Sequence, residues 1–237
     1  MKETIVKRVD MLREVMRRER IDAFVFPSTD AHNSEYVAEH WKSREWISGF
    51  DGSAGTAVVT MRHAALWTDS RYFLAAEQQL AGTGYELMRL KVAGTPTIAE
   101  WLGSELADID GAVVGLDGAV NSYATVEALT AELRAQGGIT VRVNFDPMRT
   151  IWTDRPAIPL HPVRLHPLAY AGEPTHEKLD RLRRALRGSH CDGMLVSALD
   201  DIAWLLNLRG SDVHCNPVFV SYLLVDSQRA TLYINKV

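Results

Sequence analysis

Apolar residues at Ile5, Val9, Leu12 and Met16 recur at three- and four-residue spacing between lysines and arginines, which predicts an amphipathic helix over 4–19. Asp22-Ala-Phe-Val-Phe26 follows as a short continuous apolar run closed by Pro27, the mark of a buried strand. Gly55–Thr60 and Ala64–Thr68 are further β-type runs with Met61-Arg62-His63 between them, which predicts a hairpin. A helix over 70–80, capped by Asp69 or Ser70, comes next. The pattern then alternates: strand 85–90, helix 97–107, strand 112–116, helix 122–136 ended by Gly137-Gly138, and strand 139–143. Alternating strands and helices predict an α/β fold, a mixed β-sheet covered by helices, with the hairpin making the sheet mixed.

The same pattern is written twice. Residues 179–200 fall on 9–30 at a displacement of 170 positions, with Leu179, Leu182 and Leu186 meeting Val9, Leu12 and Met16. At a displacement of 158, Trp204-Leu-Leu-Asn-Leu-Arg-Gly-Ser211 faces Trp46-Ile-Ser-Gly-Phe-Asp-Gly-Ser53. At 166, Ala230–Ile234 faces Ala64–Thr68. Helix, strand, Trp-Gly-Ser loop and strand pair recur in order, which predicts a duplicated domain. The first copy runs on to Val143 and the second stops at Val237, so the second is expected to be truncated, with an open sheet edge and an uncovered apolar face.

Six of the nine prolines, Pro147, Pro156, Pro159, Pro162, Pro167 and Pro174, lie in 146–174. Proline fixes φ and lacks a donor, so this stretch reads as a semi-rigid linker with no helix or central strand. The expected organisation is a first domain over 1–145, a linker over 146–174, and a partial second domain over 175–237 that opens on a helix capped by Thr175.

Composition narrows the function classes. A net charge of −4 leaves no basic surplus for nucleic acid. No apolar run approaches the roughly 20 residues of a spanning helix, and the charged N-terminus is unlike a secretory signal. Cys191 and Cys215 make no disulfide framework and suit a reducing compartment, so a cytoplasmic location is expected.

Candidate chemistry is sparse. Asp30-Ala-His-Asn-Ser-Glu35-Tyr-Val-Ala-Glu39-His40 is rich in potential ligands and would put Glu35 and Glu39 on one helix face, but it lacks a ligand spacing such as His-Glu-x-x-His. Gly49-Phe-Asp-Gly-Ser-Ala-Gly55 precedes a β run and not a helix, so it reads as a tight turn with positive φ at Gly52 or Gly55 and not as a phosphate cradle. Ser53 is not in a Gly-x-Ser-x-Gly elbow. Trp67, Trp101, Trp152 and Trp204 lie on apolar patterns and are expected in the core.

Asp30-Ala-His-Asn-Ser-Glu-Tyr36, Trp46–Thr56, Leu66-Trp-Thr-Asp-Ser-Arg-Tyr-Phe73, Ile151-Trp-Thr-Asp-Arg-Pro156 and Ile202–Asp212 together resemble the Xaa-Pro aminopeptidases, in the long three-domain form of the creatinase/prolidase superfamily. The resemblance implies two creatinase-like N-terminal domains ahead of a C-terminal pita-bread catalytic domain. It also implies removal of an N-terminal residue when proline is second, by two Mn²⁺ ions that activate a bridging water. The family's metal ligands belong to the C-terminal domain and none maps onto this chain, so no catalytic or metal-binding residue is expected here.

What the resemblance implies for this region is a wall of the active-site cleft and a part in assembly, with proline-containing peptides met through the intact enzyme. Asp30, His32, Arg71 and Tyr72 are the candidates for a cleft rim. A local role for each stays open, Arg71 pairing with Asp69 among them. A stand-alone peptide- or protein-binding module is the alternative. A dinucleotide-dependent enzyme would fit the α/β pattern but lacks a strand–glycine-loop–helix unit. Neither nucleic acid nor membrane is an expected partner, and a homodimer is left open.

Overall fold

The computed structural model describes residues 2–235 and divides into two compact units, 2–31 with 41–156, and 32–40 with 157–235. The first unit contains α1 (Lys2–Glu19), β1 (Ala23–Phe26), α2 (Ser43–Ser48), β2 (Thr56–Thr60), β3 (Ala64–Thr68), α3 (Phe73–Leu80), β4 (Tyr85–Arg89), α4 (Ile98–Glu105), β5 (Val113–Leu116), α5 (Tyr123–Ala135), β6 (Thr140–Arg142) and α6 (Met148–Ile151). Its six strands lie in the order β4-β3-β2-β1-β5-β6. β2 runs antiparallel to both neighbours and the other pairings are parallel, so the sheet is mixed.

Two cores sandwich this sheet. On one face Val9, Leu12 and Met16 of α1, Ile47 of α2, Ala76 of α3 and Ile151 of α6 pack on Phe24, Val59 and Leu66. On the other face Leu102 of α4 and Leu133 of α5 pack on Val25, Val58, Ala65 and Trp67. Strand residues alternate between the faces, and because both faces are covered the strands read as continuous apolar runs. Thr97 and Glu100 close a capping box at the start of α4, and Ser122 caps α5 by accepting from the Thr125 amide.

The second unit contains β7 (Arg164–Leu165), α7 (Leu168–Ala171), α8 (Thr175–Gly188), β8 (Gly193–Val196), α9 (Leu199–Leu206), β9 (Leu208–Arg209), β10 (Ser221–Asp226) and β11 (Ala230–Ile234). The order β11-β10-β8, antiparallel throughout, repeats the order β3-β2-β1. On the outer face Leu195 and Leu224 are cross-strand neighbours, 62% and 37% exposed. Val25, the counterpart of Leu195, is 4% exposed beneath α4 and α5.

The repeat persists in individual hydrogen bonds. Arg13 Nε donates to the Thr60 carbonyl, and Arg183 Nε, 170 positions on, donates to the Asp226 carbonyl. Each first helix is followed within two residues by one in the left-handed region, Arg20 (φ 56°) after α1 and His190 (φ 55°) after α8. In each case the next amide, Ile21 or Cys191, donates back to Met16 or Leu186.

Several expectations need correction. The helix after β3 begins at Phe73, because Asp69 bonds the Arg71 amide and guanidinium and does not cap. Short elements α6, β7 and α7 form inside the proline-rich stretch. Pro147, Pro167 and Pro174 sit at the N-caps of α6, α7 and α8, where a missing N–H has no helical partner to lose. Thr175 is accordingly the first helical residue and not a cap. Residues 30–38 form no helix and Glu39 opens a short 3-10 turn, so Glu35 and Glu39 share no helix face. Trp67, Trp101 and Trp152 are buried, but Trp204 is 47% exposed.

Candidate functional site

The segment from α2 to β2 is held by one buried cation. Arg44 of α2 donates from Nη1 to the Phe50 carbonyl, from Nη2 to the Gly52 carbonyl and from Nε to Ser28 Oγ. Ser28 Oγ in turn donates to the Gly55 carbonyl. The guanidinium also lies 4.9 Å from the Phe50 ring centroid. Burial lowers its pKa to about 10, and the neighbouring Glu45 and Asp51 oppose that shift. Sequence reading missed Arg44, because one arginine among the charges of Lys42-Ser-Arg-Glu45 carries no sign of burial.

The expected positive φ at Gly52 or Gly55 is absent, and of the loop's glycines Gly49 adopts it (φ 76°) as the C-cap of α2. Gly52 is required for space: a Cβ there would collide with the Phe50 ring and lie 2.8 Å from Tyr72 Cδ1. A Cβ at Gly55 would lie 3.0 Å from the Trp67 carbonyl oxygen.

Two of the four rim candidates meet at this loop. The Tyr72 hydroxyl and Ser53 Oγ share a hydrogen bond of 2.6 Å. Arg71 grips both oxygens of Asp69, from Nε at 2.9 Å and Nη2 at 2.8 Å, and its guanidinium lies 5.2 Å from the Tyr72 ring centroid. The Arg71 hydrogen bond, with the Arg71 amide and charge and Lys91 behind it, holds the Asp69 carboxyl at about 2, against the opposing effect of burial. Beside them Gln79 donates to Asp51 Oδ1 and accepts from the Asp51 amide. The Arg71 side chain keeps 65% of its exposure, so this edge presents a guanidinium and a phenol.

The other two candidates are buried. Asp30, in the first unit, is 3% exposed. His32 clusters with the second unit at 6% exposure; its Nδ1 donates to the Ser197 carbonyl, and its ring lies 4.6 Å from that of Tyr222.

The second copy holds its loop with the opposite charge. Asp212 Oδ1 accepts from the His161 amide at 3.0 Å and lies 3.0 Å from His161 Nδ1; its Oδ2 accepts from the Val220 amide. Lys178 is buried, bonded to the Trp204 carbonyl and to Asn207 Oδ1, and its pKa is lowered by desolvation against the raising effect of Glu173. Cys191 and Cys215 are exposed thiols.

These arrangements orient loops and present side chains. Ser53 bonds a phenol and not a base. Among the described residues, no group of three or more His, Cys, Asp and Glu is placed to hold a metal ion, so the residues present do not fit a dinuclear centre. Among the described residues, no helix is long and apolar enough to cross a membrane.

Comparison with known proteins places the chain among others. Two family models match, both described as Creatinase/Prolidase N-terminal domain, one over residues 8–151 and the other over 154–237. A probable Xaa-Pro aminopeptidase P of Aspergillus niger is 42% identical over 97% of this chain and 37% of its own length. One of Talaromyces marneffei is 43% identical over 97% of this chain and 35% of its own. The chain thus spans about a third of the length of these curated relatives. The crystal structure of an X-prolyl aminopeptidase from Caenorhabditis elegans, described as a cytosolic enzyme with a di-nuclear active site, matches with a TM-score of 0.90 at 34% identity, over 98% of this chain and 39% of that one.

Proposed function

From the premise that the chain belongs to the creatinase/prolidase N-terminal domain family, we propose that it is the non-catalytic N-terminal region of a Xaa-Pro aminopeptidase. The carrying observation is that both matched models describe N-terminal domains, while the peptidases similar to it are nearly three times as long. The intact enzyme would release the N-terminal residue from peptides with proline second, and its two metal ions, Mn²⁺ in this reading, would activate the attacking water. Residues 1–145 form the first creatinase-like domain, 146–174 the proline-rich linker and 175–237 part of the second.

In the intact enzyme this region walls the cleft and assists assembly in the cytoplasm. The Arg71–Tyr72 edge is the part of it suited to meet a peptide. Its guanidinium is set by Asp69 and its phenol by Ser53, so both are oriented before a ligand arrives. Asp30 and His32 are buried, so neither would meet a peptide by direct contact.

Two measurements test this reading. Titrating Mn²⁺ into the purified 237-residue chain should give no stoichiometric heat of binding, and a saturable pair of sites would overturn it. In the full-length enzyme, Arg71→Ala should lower kcat/KM for an Xaa-Pro-Xaa tripeptide several-fold, mainly through KM. An unchanged kcat/KM would remove Arg71 from the rim.

A further inference from the structure

The two copies differ in length at one joint. The displacement that relates them is 170 positions through β8 and 158 from Trp204 onward, so the first copy carries 12 residues that the second lacks. The element ends locate them. In the second copy Ser197 and Ala198 alone join β8 to α9. In the first copy residues 27–40 lie between the end of β1 and Trp41, the counterpart of Leu199. The second copy thus shows that two residues suffice to turn the chain from strand to helix, and the extra residues are not required by the repeat itself.

The insertion does not stay with the copy that encodes it. Asp30 and Trp41, near its two ends, are buried and belong to the first unit. Residues 32–40 between them belong to the second unit. There the buried His32 donates from Nδ1 to the carbonyl of Ser197, a residue of the short joint that stands where the first copy has its insertion. The His32 ring lies 4.6 Å from that of Tyr222 in β10, with the planes at 36°. Ala38 is buried as well. Apart from the 3-10 turn at Glu39–Trp41 the segment has no helix or strand, and Asn33 takes a left-handed φ of 55°. Holding such a segment in one conformation costs entropy at every residue, which its side-chain contacts must offset.

We propose that residues 32–40 are a clasp, a segment inserted in the first copy whose binding site is the surface of the second unit at Ser197 and Tyr222, and that the stability of the second unit depends on it. His32 is its anchor, a positioning residue that supplies one hydrogen bond and one ring contact. This inference rests on the internal repeat and on the contacts of His32, and is independent of the peptidase reading.

The test is amide hydrogen exchange on the 237-residue chain, which reports the opening of each strand separately. Wild type is compared with His32→Ala and with a variant in which residues 32–38 are replaced by a Gly-Ser stretch of equal length. In His32→Ala the amides of 193–196 and 221–226 should exchange about tenfold faster, from the loss of the hydrogen bond and the ring contact. The Gly-Ser variant should exceed that change, while 56–60 and 113–116 of the first unit keep their wild-type rates in His32→Ala. Unchanged rates at 193–196 and 221–226 in both variants, or an acceleration in His32→Ala that is as large at 56–60 and 113–116, would overturn the inference.

Discussion

Gly52 and Gly210 stand at the same place in the two copies, 158 positions apart, and each lies against a phenylalanine that leaves no room for a methyl group. A Cβ on Gly52 would enter the Phe50 ring, and one on Gly210 would lie 2.6 Å from Phe219 Cβ and 2.7 Å from the Val218 carbonyl oxygen. Neither has a positive φ, so the requirement is for space and not for backbone freedom. Gly52→Ala and Gly210→Ala should each destabilise the fold by about 1–3 kcal/mol through overpacking. Gly84 is the control for φ: it adopts 84° with nothing near its missing Cβ, so Gly84→Ala adds backbone strain of about 1 kcal/mol alone. Thermal melts of the three variants check this; equal melting points for Gly52→Ala and wild type would contradict it.

The Arg44 guanidinium satisfies two loop carbonyls and a serine hydroxyl in a buried site. Arg44→Met leaves those acceptors without the donor and should destabilise by about 2–3 kcal/mol. Arg44→Lys restores charge but not the planar fork, and should recover less than half of the loss. Urea unfolding of both variants measures the difference, and full recovery by lysine would show that charge alone suffices.

Asp69 carries a pH dependence with a defined sign. Its carboxyl is lowered from 3.8 to about 2 in the folded chain, chiefly by the hydrogen bond from Arg71. The folded state therefore binds the proton more weakly than the unfolded state. The stabilisation is fully present above the unfolded value and is lost as pH falls through about 2. A carboxyl ¹³C titration should give a midpoint near 2 for Asp69, and Arg71→Ala should return it toward 3.8. A wild-type midpoint at the ordinary aspartate value would show that the Arg71 grip is not formed in solution.

Equivalent positions on the two sheets should respond unequally. Val25 lies beneath α4 and α5, whereas its counterpart Leu195 is 62% exposed. Val25→Ser should cost about 2–4 kcal/mol, from lost transfer energy and a buried hydroxyl. Leu195→Ser should change stability by less than about 0.5 kcal/mol. Comparable losses at both sites would mean that the outer face of the second sheet is covered.

Much of this was legible in the sequence, for identifiable reasons. Apolar periodicity located α1, the β2–β3 hairpin and the alternating elements through β6, because both faces of the first sheet are buried and the pattern had to serve both. The repeat was legible because its contacts fall on side chains with distinctive identities: the apolar positions and arginines 13 and 183 of the first helices, and the Trp-Gly-Ser loop; the shared cations at Arg8 and Lys178 emerge from the structure. Exposure was not legible. Trp204 and Trp46 share a sequence context, but Trp46 stacks on Trp152, 106 positions away, while Trp204 is 47% exposed. The buried roles of Arg44 and Asp212 were hidden as well, since a charge that satisfies distant backbone groups looks in sequence like one that faces water. The proline-rich stretch misled in the opposite direction, because proline at an N-cap starts a helix as readily as it breaks one.

The most direct test of the central claim is a cleavage assay. The purified 237-residue chain is incubated with Mn²⁺ and an Xaa-Pro-Xaa tripeptide, and the released N-terminal residue is measured beside the full-length enzyme. The account predicts turnover by the full-length enzyme and none above the buffer blank by the chain alone. Metal-dependent release that co-purifies with the 237-residue chain would contradict it.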